Sequence, residues 1–127
     1  AVAAIEVYEQ DQLMEASRAR GKQLLKGLRQ LKKKFPIIGD VRGLGLFATI
    51  EFVKDRKTKE PMSAYGKPPK PHSFMPRLAA ALRQRRVHAA SKWTHLFLAP
   101  PLCVTAEEID EALVLISDAI AEACEES

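Results

Sequence analysis

Leu46-Phe-Ala-Thr-Ile-Glu-Phe-Val53 alternates in the manner of an extended chain. Leu46, Ala48, Ile50 and Phe52 fall on one side, and Phe47, Thr49, Glu51 and Val53 on the other. Its β-branched and aromatic side chains suit a pleated surface, so the stretch is predicted to be a strand. The segment before it has a different period. From Gln12 to Lys34 the apolar set Leu24, Leu25, Leu28, Leu31 and Phe35 steps by three and four, with Arg18, Arg20, Lys22, Lys26, Arg29, Lys32, Lys33 and Lys34 between. That spacing predicts an amphipathic helix, which Pro36 ends because its ring cannot continue the hydrogen-bond ladder. Further upstream, Val2, Ile5 and Tyr8 recur at helical spacing, and Asp11 is expected to cap the second helix after a short break.

Downstream, Asp55, Pro61, Gly66, Pro68, Pro69 and Pro71 punctuate residues 54–72, which read as one long loop. Ser73 is expected to cap a helix running to Arg85, with Phe74, Leu78, Ala81 and Leu82 on its buried side. Val87 to Ala90 and His95 to Ala99 read as two short strands, the second stopped by Pro100 and Pro101. Thr105-Ala-Glu-Glu108 has the form of a capping box, in which hydroxyl and carboxylate each satisfy the other residue's backbone N–H. Ile109, Leu113, Ile116 and Ile120 then stripe the last helix. The expected fold is α+β: a small antiparallel sheet of three to four strands with helices mainly on one face.

At 127 residues, 46% hydrophobic and 28% charged, the chain has the size and composition of one globular domain. That composition excludes a wholly disordered polymer. The longest apolar run, Leu96 to Val104, falls well short of the ~20 residues that a spanning helix requires, so no membrane segment is expected. A charge of +4 permits an anionic partner without requiring one. Cys103 and Cys124 form no disulfide framework or metal spacing, and a reducing cytoplasm is the simplest setting. Ala1 begins in mid-helix pattern without an initiator Met, and is read as a cut edge.

Chemistry-bearing patterns are few. Gly43-Leu-Gly45-Leu-Phe-Ala48 resembles a relaxed dinucleotide fingerprint, but that motif needs a strand before it and a helix after it. Here a strand follows, so the glycines are read as serving a turn or bulge. His72, His88, His95 and Cys103 lack fixed ligand spacing, and no metal is expected. No serine sits in a nucleophile elbow. The basic residues of 18–34 support an alternative reading, a stand-alone binding module for nucleic acid or an acidic protein. A solvated helix face explains them more simply, and nucleic acid is not expected as a partner.

Three blocks carry a family resemblance. Gly39-Asp-Val-Arg-Gly-Leu-Gly-Leu-Phe-Ala-Thr-Ile-Glu-Phe-Val-Lys-Asp-Arg-Lys-Thr-Lys-Glu-Pro61 resembles the small-domain strand of class III aminotransferases. Leu96-Phe-Leu-Ala-Pro-Pro-Leu-Cys-Val-Thr-Ala-Glu-Glu-Ile-Asp-Glu-Ala-Leu113 is similar to the same family's ending, and AVAAIEVYEQ to the start of its helix. The order and intervals match over nearly the whole chain, and the nearest branch is the ω-amino-acid and taurine–pyruvate one.

The resemblance implies a fold-type-I enzyme using pyridoxal 5′-phosphate to move an amino group between an amine or amino acid and a keto acid such as pyruvate. Residues 1–127 would be its C-terminal small domain, with 1–10 ending the helix that joins it to the large domain. The Schiff-base lysine and phosphate cup belong to that large domain, so this segment alone is expected to be inactive, with no catalytic or cofactor-binding residue of its own. The complete enzyme would be a cytoplasmic homodimer. In isolation, the face meant for the large domain would be exposed and prone to self-association. In ornithine-type members an Arg for the substrate carboxylate stands three places before the first Pro, where this chain has Phe97. In the taurine–pyruvate branch the pattern is "RWN", and this chain has Lys92-Trp93-Thr94. Lys92 is therefore an expected carboxylate or sulfonate contact with Trp93 shaping the pocket, the alternative being a surface lysine beside a packed tryptophan at a strand start, while Arg42 is expected to serve an ion pair.

Overall fold

A computed structural model describes residues 1–125. The elements in chain order are α1 (Val2–Gln10), α2 (Leu13–Lys34), β1 (Ile38–Leu44), β2 (Phe47–Asp55), β3 (Glu60–Pro61), α3 (Phe74–Gln84), β4 (Ala90–Lys92), β5 (His95–Leu98) and α4 (Ala106–Glu125). The strands pair antiparallel in the order β1-β2-β5-β4, and β3 adds a two-residue ladder to β2. The α+β expectation holds, with four strands on the main path and β3 as a fifth.

Strand β1 escapes the periodicity reading because Gly39, Asp40 and Gly43 are poor strand formers. Pairing supplies what propensity lacks: Val41 faces Ile50 and Gly43 faces Ala48, with a bulge between Ile38 and Asp40. The hairpin closes at Gly45, whose φ of +55° is left-handed. The turn reading holds for Gly45, whereas Gly43 lies within β1 opposite Ala48. The same hairpin tip lies against α2, where a Cβ on Gly21 would stand 2.2 Å from the Gly45 carbonyl oxygen. The bare Cα of Gly21 is what lets helix and turn touch.

The expected loop over 54–72 is shorter in the structure. β2 continues to Asp55, whose Oδ1 accepts the backbone N–H groups of Lys57 and Thr58 and so turns the chain into β3. The strand expected over 87–90 lies later, at Ala90–Lys92. Asp11 does not cap α2; it ends α1, and Gln12 leads into α2 with a left-handed φ of +49°.

Ile38, Val41, Ala48, Ile50, Phe52, Leu96 and Leu98 on one sheet face pack with Leu24 and Leu28 of α2, Phe74 and Leu78 of α3, and Ile109, Ile116 and Ile120 of α4. The Phe52 and Phe74 rings meet at 5.1 Å between centroids. Arg56 closes the seam between α2 and β1 by donating to the carbonyls of Lys32, Phe35 and Ile38, a cation at a helix C-terminus. The capping box forms as expected, with Thr105 N–H donating to Glu108 at 2.8 Å and Glu108 N–H to the Thr105 hydroxyl at 3.2 Å. Helix α1 buries none of its residues, leaving Val2, Ile5 and Tyr8 exposed.

Candidate functional site: the outer sheet face

With every helix-facing side chain assigned, the register fixes what the other face presents. Arg42 pairs with Thr49 and Thr49 with Phe97; Asp40 pairs with Glu51, Glu51 with His95, and His95 with Lys92. Cross-strand partners point to the same side. These residues therefore form two neighbouring rows, and Arg42, Thr49, Lys92, Trp93, His95 and Phe97 line a cavity of about 300 Å³.

An aromatic ladder borders the cavity. Phe47 stacks on Phe97 at 6.2 Å, Phe97 on His95 at 6.0 Å, and Tyr65 meets His95 at 6.1 Å and the Trp93 ring edge-on at 5.5 Å. Trp93 and Thr94 form the two-residue turn between β4 and β5, with Trp93 at a left-handed φ of +55°. The Lys92 ammonium lies 4.7 Å from the centre of the Trp93 ring, within cation–π range.

The cations differ in availability. Arg42 Nη1 donates to Glu51 at 2.8 Å and to Asp40 at 2.9 Å. Hydrogen bonds from Glu51 and then Asp40 hold the guanidinium's pKa above its usual value, against a smaller opposing effect of burial. Burial alone would raise the Asp40 carboxyl; Arg42, the Val41 backbone N–H and Lys32 together outweigh it and hold the group below the usual carboxylate value. Lys92 is exposed and forms no ion pair among the described residues. Arg42 thus serves the ion-pair role expected of it, and Lys92 is the lining cation left open to an anion.

Lys92 and Trp93, the two expected site residues, lie together on this face. Phe97, which stands where the resemblance to ornithine-type members leads one to expect Arg, lines the same cavity. Tyr65 has no sequence signal, because a loop residue acquires its ring partners only through tertiary structure. Thr49 and His95 are recoverable only from strand register. His88 lines a separate apolar groove of about 350 Å³ on the helix side, with Leu24, Leu98 and Ile109.

The basic face of α2 is partly answered from within. Arg18 pairs with Glu15 at 2.7 Å, Lys32 with Asp40 at 3.5 Å, and Lys34 donates to Ser117 at 3.0 Å.

Every lysine but the half-buried Lys32 is exposed, and Lys32 is engaged with Asp40. A Schiff-base lysine requires an enclosed amine whose pKa is brought down by burial or neighbours.

The sequence profile described as "Aminotransferase class-III" matches residues 1–120. The chain belongs to the class III aminotransferase family. It is 57% identical over 63 residues to a taurine–pyruvate aminotransferase of Bilophila wadsworthia, a match covering 50% of this chain and 14% of that one. Identity to the 5-aminovalerate aminotransferase of Pseudomonas putida is 34% over 125 residues, covering 96% of this chain and 27% of the relative. The taurine:2-oxoglutarate aminotransferase of Bifidobacterium kashiwanohense, solved with PLP and glutamate, superposes with a TM-score of 0.88 at 27% identity, over 98% of this chain and 27% of that one. This class III chain therefore spans about one quarter of the length of these relatives. None of its described helices is long and apolar enough to cross a membrane.

Proposed function

We propose that this chain is the C-terminal small domain of a pyridoxal-phosphate-dependent class III aminotransferase and that its outer sheet face is one wall of the substrate cleft. The complete enzyme moves an amino group from an amine or amino acid with an acidic head to a keto acid such as pyruvate. Residues 1–10 end the helix leading in from the large domain, and the exposed apolar side chains of α1 suit that contact. The enzyme works as a homodimer in the cytoplasm, and this domain is inactive alone.

One observation carries the reading. Lys92 and Phe97, the two positions where the family resemblance leads one to expect an acid-binding cation, converge on one cavity although they lie on different strands. The cofactor, bound by the large domain, supplies the electron sink. This domain supplies orientation. Lys92 attracts the substrate's carboxylate or sulfonate as a point charge, Trp93 shapes the space beside it, and Phe97 with its stacked neighbours keeps that side apolar. Arg42 is withdrawn from substrate by its two carboxylates.

Lys92→Ala in the full-length enzyme tests the reading. A lost charge-assisted contact should raise KM roughly tenfold or more for an acidic amino donor. An uncharged amine donor should be nearly unaffected. Equal effects on both donors, or none on either, would count against the assignment.

A further inference from the structure

Thr94 joins the cavity to the loop beside it. The residue is fully buried, at 0% exposure. Its hydroxyl donates to the Phe52 carbonyl and accepts the Met62 N–H at 3.1 Å. Its own carbonyl accepts the Phe52 N–H at 2.9 Å, and the Met62 N–H also reaches the Phe52 carbonyl at 3.1 Å. A single hydroxyl thus ties together the β4–β5 turn, the β2 strand and the first residue of the loop that carries Tyr65.

Both neighbours of this tie need holding. Trp93, immediately before it, has a left-handed backbone that a bulky residue keeps only where its surroundings fix it. Tyr65, three residues after Met62, sets its ring edge-on to Trp93 at 5.5 Å and is itself half exposed. Without the hydroxyl, turn and loop are linked only through the backbone pairs of Phe52 with Thr94 and Met62, and the indole that flanks Lys92 loses part of its support on one side.

We propose that Thr94 is the positioning residue of this pocket. Through its hydroxyl it holds Trp93 in the left-handed turn and holds the Tyr65 loop against it, so that the Lys92–Trp93 arrangement exists before substrate arrives. Pre-organisation of this kind lowers the cost of binding and leaves the chemical step alone. The inference rests on the outer face being a wall of the substrate cleft.

The test is steady-state kinetics of the full-length holoenzyme with an acidic amino donor, comparing Thr94→Val, Thr94→Ser, Tyr65→Ala and Trp93→Ala. Valine keeps the volume and removes the hydroxyl. The Met62 N–H and Phe52 carbonyl remain paired to each other, so no buried group is orphaned and the fold should survive. Thr94→Val, which removes both bonds of the hydroxyl, is expected to raise KM about fivefold or more, with kcat near that of the parent. Thr94→Ser should restore KM, and Tyr65→Ala should raise it in the same direction. A parent-like KM in Thr94→Val beside a raised KM in Trp93→Ala overturns the positioning role and leaves the cleft wall standing. A parent-like KM in Trp93→Ala and Lys92→Ala overturns the cleft wall itself. Failure of serine to restore KM also overturns the role assigned to the hydroxyl. If Thr94→Val yields no soluble enzyme, Tyr65→Ala decides, and a parent-like KM there overturns the proposal.

Discussion

Arg42 and Glu51, diagonal neighbours across the β1–β2 ladder, are joined at 2.8 Å, and the same guanidinium nitrogen reaches Asp40 at 2.9 Å. A guanidinium normally offers a substrate carboxylate a two-pronged grip. Here Asp40 and Glu51 both hold Nη1 and answer the guanidinium's charge, and Lys92 is left as the point charge without an ion pair among the described residues.

Arg42→Ala is therefore expected to act on stability more than on substrate. The pair with Glu51 is half exposed on the Arg side, so its loss should cost about 1 kcal/mol or less. Thermal unfolding of the full-length enzyme would register that shift, while KM for an acidic donor should change far less than in Lys92→Ala. A KM effect equal to that of Lys92→Ala would reassign Arg42 to the substrate.

Phe97→Arg should add the missing fork. Phe97 sits in the stacked row between Phe47 and His95, and the substitution loses that stacking while setting a guanidinium on the cavity wall. The ratio of kcat/KM for a carboxylate-bearing donor to that for an uncharged amine is expected to rise by about tenfold, as for one charge-assisted contact. An unchanged ratio would mean that position 97 does not face the substrate.

Gly21→Ala is expected to be among the most damaging single changes in α2, despite alanine's better helix propensity. The added methyl would stand 2.2 Å from the Gly45 carbonyl, a backbone atom that cannot swing aside. Overpacking of this kind costs typically ~1–3 kcal/mol. A melting temperature at or above that of the parent would show that helix and turn separate freely.

How much of this was legible in the sequence follows from what each element depends on. Helices α2, α3 and α4 announce themselves because Leu24–Leu28–Leu31, Phe74–Leu78 and Ile109–Ile116–Ile120 repeat at the helical period. β2 does so because it alternates. β1 and β3 depend on their partner instead: Gly39, Asp40 and Gly43 become a strand only beside β2, and Glu60–Pro61 only against Val53 and Asp55. The site divides in the same way. Lys92 and Trp93 were accessible through motif position. The tie at Thr94, the ring of Tyr65 and the convergence of Phe97 with Lys92 arise from register and tertiary contact, which no local pattern encodes.

Asp40 provides a pH signature. Its folded pKa lies below the model-compound range, so its contribution to stability is fully present above its unfolded value and is lost as pH falls through the folded one. Asp40→Asn should accordingly be less stable than the parent at neutral pH, by roughly 0.2–1 kcal/mol given the half-exposed geometry. The two should converge once the pH has fallen through the lowered folded pKa, under the usual Asp value. Denaturant melts across that range would check it, and a gap that widens on acidification would contradict the ion-pair origin.

The most direct measurement is a structure of the full-length holoenzyme with an unreactive amino-acid analogue bearing a carboxylate or sulfonate head. The head group should lie about 3 Å from the Lys92 ammonium, with the Trp93 ring beside it. A head group held elsewhere, with the Lys92–Phe97 cavity turned to bulk solvent, would contradict the assignment of this face to the substrate cleft.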